Sequence, residues 1–118
     1  MADPLEVHVR RDGDVGILET DGYINDHAAE KVADAGEVLV QEGVRHVVLN
    51  LEKSRIVNSM GISILIELIE KVRELEGKVA FCCVTPTLSK TFRIMGLLKV
   101  ATICEDEAGA LEAVRSTT

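Results

Sequence analysis

Hydrophobic and polar positions divide this chain into short strand-like and longer helix-like runs. Leu5, Val7 and Val9 alternate with Glu6, His8 and Arg10, the period of a half-exposed strand. Asp12-Gly13 predicts a turn, and Val15 to Thr20 the second arm of a hairpin. After Asp21-Gly22, Asn25 or Asp26 can cap a helix from about His27 to Gln41, with Ala28, Val32, Ala35 and Leu39 as its buried stripe and Gly43 just past its end. Val47 to Leu51 is nearly continuous in apolar residues, which suits an interior strand covered on both faces. Glu52 to Arg55 then return the chain to the surface.

From Met60 the apolar residues Ile62, Leu65, Leu68, Ile69, Val72 and Leu75 recur at three- and four-residue spacing, while Ser63, Glu67, Glu70 and Glu74 fall on the other side. Gly77 stops this helix, and Lys78 to Val84 reads as a second interior strand. Thr85-Pro86 has the order of an N-cap and first helical residue. Leu88, Phe92, Ile94 and Met95 supply that helix with an apolar side, and Gly96 closes it. Val100 to Cys104 reads as a short strand, and Glu105 to about Arg115 as a final helix packed through Ala108, Leu111, Ala113 and Val114. The order ββαβαβαβα predicts an α/β fold: one domain over residues 1–118, with an initial β-hairpin, a mixed central sheet parallel in its later part, right-handed crossovers and four main helices. The loop from Glu52 to Met60 lies at a strand carboxyl end, where such sheets place functional residues.

Composition narrows the chemistry. With 118 residues and 47% apolar content, the chain can bury one core. Aromatic residues make up only 3%, with no Trp, and the net charge is −7; stacking platforms and a basic footprint for nucleic acid are both missing. The same charge opposes anionic membranes, so a protein partner is expected, with neither nucleic acid nor membrane. No basic start followed by an apolar segment opens the chain, and no apolar run is long enough to span a bilayer, so the expected location is cytoplasmic. Cys82 and Cys83 fall in an apolar strand-like run, pointing to opposite faces, and Cys104 stands apart; all three read as reduced core residues. His27 and His46 lack ligand-spaced companions, which implies no metal site. Without a Gly-rich phosphate loop or nucleophile elbow, no catalytic residue and no cofactor are assigned.

Ser59 carries the functional reading. A serine just before a first helical turn can act as the N-cap. Alternatively, its hydroxyl is a phosphorylation site, because a phosphate at a helix N-terminus meets unpaired N–H groups and the positive end of the macrodipole. Folding would survive while the surface changed charge. Gly61, in the same turn, costs about 1 kcal/mol relative to alanine unless another backbone comes close.

Two motifs extend this reading. Asn50-Leu51-Glu52, a spacer from Lys53 to Val57, and Asn58-Ser59-Met60-Gly61-Ile62 resemble the anti-sigma factor antagonists of the STAS (sulfate transporter and anti-sigma factor antagonist) superfamily, in which Asp-Leu-Ser precedes Asp-Ser-Ser/Thr-Gly-Leu. Gly22-Tyr23-Ile24-Asn25 is similar to that family's Gly-x-Leu/Ile-Asp, which leads into the first helix. Asn25 and Asn58 stand where the family has aspartates, and Met60 where it has a second Ser/Thr. The resemblance implies a partner switch: the unmodified protein binds an anti-sigma factor that is also a serine kinase, phosphorylation at Ser59 weakens the complex, and a PP2C-type phosphatase restores it. It also implies a partner-binding surface of Asn25, Asp26, Asn58, Ser59, Met60, Gly61 and Ser63, and allows for a weak homodimer. The alternative is a divergent STAS domain, a signalling scaffold or small-ligand module in which Ser59 is only a cap.

Overall fold

The structure is a computed structural model that describes residues 5–116, so residues 1–4 and 117–118 of the expected domain lie outside it. Strands β1 (Glu6–Asp12) and β2 (Val15–Asp21) form the expected hairpin, with Gly13 at φ 64° in its turn. They are followed by α1 (Asp26–Gln41), β3 (His46–Lys53), α2 (Ser59–Glu74), β4 (Val79–Cys82), α3 (Pro86–Ile94), a 3-10 turn (Leu97–Lys99), β5 (Thr102–Cys104) and α4 (Glu107–Arg115). The five strands lie in sequence order in one sheet; β1 is antiparallel to β2, and every later pair is parallel. Both continuous apolar runs are interior strands.

Strands laid down in one direction, joined by right-handed crossovers, put consecutive helices on one face. The core is divided accordingly. Leu18, Val47, Leu49 and Phe81 face Ala29, Val32, Leu65, Ile69, Leu88 and Phe92 of α1, α2 and α3 in the larger cluster. On the other face Val15, Ile17, Val48, Ala80 and Cys82 meet Ala110 and Val114 of α4. Each helix α1 to α4 therefore begins beyond a strand carboxyl end, and their first turns share one edge of the sheet.

Several local expectations are corrected. In α1 the buried stripe runs through Ala28, Ala29, Val32, Gly36 and Leu39, with Ala35 only half-buried, because Gly36 lets α2 close in: a Cβ there would lie 2.7 Å from Leu68 Cδ1. Leu75 is the C-cap of α2 and exposed. The left-handed residue after it is Glu76, at φ 63°; Gly77 is needed because a Cβ would strike the carbonyl of Arg45. Strand β4 ends at Cys82, since Cys83 turns left-handed at φ 64°, and both cysteines pack on the α4 side instead of on opposite faces. Val100 and Ala101 follow the 3-10 turn and precede β5. In α4 Ala110 and Val114 are buried, and Ala108 is exposed. Val9, Ile94 and Met95 are exposed as well, the last two where α3 ends.

Candidate functional site: the paired entries of two helices

The segment after β2 and the segment after β3 meet at the sheet edge. Ile24 and Val57 form a parallel bridge outside the strands, in which Ile24 donates its N–H to the Ile56 carbonyl at 3.0 Å and Asn58 donates to the Ile24 carbonyl at 3.0 Å. Gly22 N–H also donates to the Lys53 carbonyl at 3.0 Å. The two motifs read separately in the sequence are thus one structural unit.

This unit sets both caps. Asn25 Oδ1 accepts the Ala28 N–H at 2.9 Å and Asn58 Oδ1 accepts the Gly61 N–H at 2.7 Å. Both asparagines have extended backbones, with ψ of −167° and 173° respectively, as N-cap residues do. The expectation that Ser59 caps α2 is therefore corrected: Ser59 is the first helical residue. Capping needs only a side-chain acceptor, and asparagine keeps the oxygen of the family aspartate while removing its charge.

Gly61 is explained by the same contact. A Cβ at that position would lie 2.8 Å from the Ile24 carbonyl oxygen, so the backbone that comes close belongs to this chain. The first intrahelical bond of α2 runs from Ile62 N–H to the Asn58 carbonyl, which leaves the N–H groups of Ser59 and Met60 ahead of the ladder. Ser63 Oγ donates to the Ser59 carbonyl at 3.2 Å. Ser59 is exposed, and its own hydroxyl has no hydrogen-bond partner among the described residues. Asp26 is exposed in the first turn of α1, and no acid stands in the first turn of α2. Tyr23, Ile56 and Met60, all exposed, give the region apolar surface. The site thus offers a free hydroxyl, free backbone donors and exposed apolar side chains on a bridged pair of loops.

Beneath it lies a feature that sequence reasoning missed. Thr20 Oγ1 and Ser54 Oγ are fully buried and 2.6 Å apart. Between Lys53 and Arg55, Ser54 reads in the sequence as a surface residue. The pairing occurs where the β2–β3 register slips between Glu19 and Asp21, and it anchors the loop leading to Ser59. Nothing in the sequence pairs residues 34 positions apart. On the opposite face Arg10 reaches Glu107 at 2.5 Å, and Asn50 Nδ2 donates to Glu107 Oε1 at 3.2 Å. The hydrogen bond from Arg10, aided by that from Asn50, holds the Glu107 carboxyl below its usual range against the opposing effect of burial. This network secures α4 to the sheet and does not touch Ser59.

Among the described residues no cluster of three His, Cys, Asp or Glu side chains is placed to hold a metal ion, and no helix is long and apolar enough to cross a membrane.

With this geometry in view, the comparisons with known proteins are specific. The chain matches the family described as STAS domain over residues 6–110. It is similar to the anti-sigma F factor antagonist of Paenibacillus polymyxa, at 23% identity over 108 residues that cover 91% of this chain and 92% of that protein. An anti-sigma factor antagonist from Mycobacterium paratuberculosis superposes with a TM-score of 0.83 at 22% identity, covering 98% of this chain and 100% of that one. The Bacillus cell fate determinant SpoIIAA in its phosphorylated form superposes with a TM-score of 0.72 at 19% identity, covering 93% and 100%. These structural likenesses carry the fold: a mixed five-stranded sheet with four helices.

Proposed function

From the premise that the chain belongs to the STAS domain family, we propose that it is an anti-sigma factor antagonist switched at Ser59. In this reading the unmodified protein binds an anti-sigma factor that is also a serine kinase and so releases a sigma factor. Transfer of the γ-phosphoryl group of ATP to Ser59 Oγ ends the complex, and a PP2C-type phosphatase resets it. The protein acts in the cytoplasm as a binding module, not as an enzyme.

One observation carries the proposal: Ser59 Oγ is exposed and unpartnered at the first position of α2 while Asn58 does the capping. Modification there removes no hydrogen bond on which the fold depends. A phosphate on Ser59 would face the unladdered N–H groups of Ser59 and Met60 at the positive end of the helix. Its charge of roughly −1.5 to −2 would fall among Tyr23, Ile56 and Met60, where a docked partner would suffer repulsion and desolvation. Asn25, Asp26, Asn58, Met60, Gly61 and Ser63 complete the contact surface in this reading. The names of the relatives agree with it, one being an anti-sigma F factor antagonist and another having a phosphorylated form.

The test pairs the purified chain with the serine-kinase anti-sigma factor of its source organism. Intact-mass measurement after addition of ATP is expected to show one phosphate on the wild type and none on Ser59→Ala. Calorimetry is expected to show Ser59→Ala binding like wild type and Ser59→Asp binding at least about tenfold more weakly. If ATP and kinase leave Ser59 unmodified and both variants bind equally, the switch is refuted and the domain is a constitutive scaffold.

A further inference from the structure

Charge is unevenly distributed along this acidic chain. Between Gly77 and Cys104 there is no Asp or Glu, whereas Lys78, Lys90, Arg93 and Lys99 lie within that stretch. All 20 acids therefore fall outside it. Elsewhere Arg10, Arg11, Lys53, Lys71, Arg73 and Arg115 each face a carboxylate, Lys31 and Arg45 reach backbone carbonyls, and Arg55 alone has no such partner among the described residues. Lys90, Arg93 and Lys99 have neither an ion pair nor a side-chain hydrogen bond among the described residues.

These three cations share one short stretch of chain with exposed apolar side chains. Ile94 is 75% exposed, Met95 45% and Leu98 41%, all within five positions at the end of α3 and the turn that follows. Lys90 and Ile94, four residues apart, are neighbours on the helix surface. The turn is anchored from below: Phe92 and Leu97 are fully buried, and the Leu97 carbonyl accepts the N–H groups of Val100 and Ala101. Beside it a cavity of about 200 Å³ is lined by Arg73, Lys78, Leu98, Lys99, Val100 and Val114. Ser59 opens α2 at the carboxyl edge of the strands, whereas this surface closes α3 at the other edge.

We propose that the end of α3 and the 3-10 turn form a second protein-docking surface, independent of the Ser59 site, that takes an acidic amphipathic segment of a partner protein. Apolar side chains of that segment cover Ile94, Met95 and Leu98, and its carboxylates pair with Lys90, Arg93 and Lys99. Charge complementarity selects this occupant, since every charged residue between Gly77 and Cys104 is a cation on a chain whose remainder is strongly acidic. A short segment need meet only this stretch, whereas a planar anionic bilayer would also face the acidic remainder, and the patch holds no Trp or Tyr to anchor in one.

The test is an NMR titration of the isotope-labelled full chain with a synthetic helical peptide carrying Leu at i, i+3, i+4 and i+7 and Glu at the flanking positions. A matched peptide with Lys in place of Glu, and mixed phosphatidylcholine/phosphatidylserine vesicles, are titrated in parallel. The acidic peptide is expected to shift amides at positions 90–99, with an affinity that falls as salt rises. The triple variant K90E/R93E/K99E, altered only at sites without structural partners, is expected to weaken binding by about tenfold or more. Ile94→Ser is expected to weaken it with wild-type salt dependence, and Ser59→Asp to leave it unchanged. Four outcomes would each overturn the proposal: no shift at 90–99 with the acidic peptide at millimolar concentration, equal binding of the Lys peptide, binding to vesicles alone, or self-association through these residues that the triple variant abolishes. The last would assign the surface to a second copy of the chain.

Discussion

Asn58 Oδ1 accepts the Gly61 N–H at 2.7 Å, closing the first turn of α2 without drawing on the hydroxyl of Ser59. The backbone of Asn58 is held for this by its own N–H, which donates to the Ile24 carbonyl. Asn58 therefore does the capping, and in the proposed reading the switch falls to the residue beside it. Asn58→Ala is expected to cost about 0.5–2 kcal/mol by loss of the cap. Ser59→Ala is expected to stay within about 0.5 kcal/mol of wild type. Asn58→Asp keeps the acceptor and adds a favourable charge, so it should gain about 0.3–1 kcal/mol. Urea unfolding of the three variants checks the order, and a larger loss for Ser59→Ala than for Asn58→Ala would reverse the assignment.

Gly61→Ala would ordinarily favour a helix by about 1 kcal/mol. Here the new Cβ would lie 2.8 Å from Ile24 O, a backbone atom that is itself hydrogen-bonded to Asn58. The substitution is expected to destabilise by about 1–3 kcal/mol, in the manner of an overpacked site. Amide exchange should speed up at Ile24 and Asn58 before it does so in β3. An unchanged or higher melting temperature would show that the two loops do not touch as described.

Thr20 and Ser54 form a buried hydroxyl pair at 2.6 Å, so removing either partner leaves the other unsatisfied. Thr20→Val and Ser54→Ala are each expected to cost about 1–3 kcal/mol. The double variant should cost clearly less than the two together, because it leaves no orphaned hydroxyl. Simple additivity in a double-mutant cycle by chemical denaturation would argue that the pair is not coupled.

His46 gives the fold a pH dependence. Burial holds its imidazole below the usual histidine pKa; Arg45, Lys78 and Arg115 add to this and Asp14 opposes it. The ring is also committed structurally, since Nδ1 accepts the Lys78 N–H at 2.9 Å at the entrance to β4. In the unfolded chain the ring gains its proton near pH 6.5, about the ordinary value, whereas the folded chain resists until lower pH. In that window the folded protein binds fewer protons, so stability falls as pH drops from about 7 through the ordinary value toward the lowered one. An NMR titration should give a midpoint for His46 below the ordinary histidine value, and His46→Gln should flatten the stability profile over the same range. A His46 midpoint at or above the ordinary histidine value would contradict this.

Much of the architecture was legible without coordinates because its causes are local. Continuous apolar runs mark β3 and β4 as interior, the alternation before Asp12-Gly13 marks the hairpin, and Thr85-Pro86 fixes the start of α3; Thr85 Oγ1 does accept the Leu88 N–H. The position of the Ser59 turn at a strand carboxyl end followed from the order of elements alone. Tertiary structure decided what local chemistry leaves degenerate. Asn58 and Ser59 are adjacent and both competent to cap; the bridge to Ile24, from a segment more than thirty residues earlier, holds Asn58 extended and so selects it. The same bridge explains Gly61, whose close neighbour is the chain's own carbonyl. Thr20 and Ser54 become buried because a register slip brings two polar side chains together where neither could be buried alone. Helical periodicity includes Ile94 and Met95, yet whether a side chain is covered depends on what lies opposite it, and at the end of α3 the described residues leave both exposed.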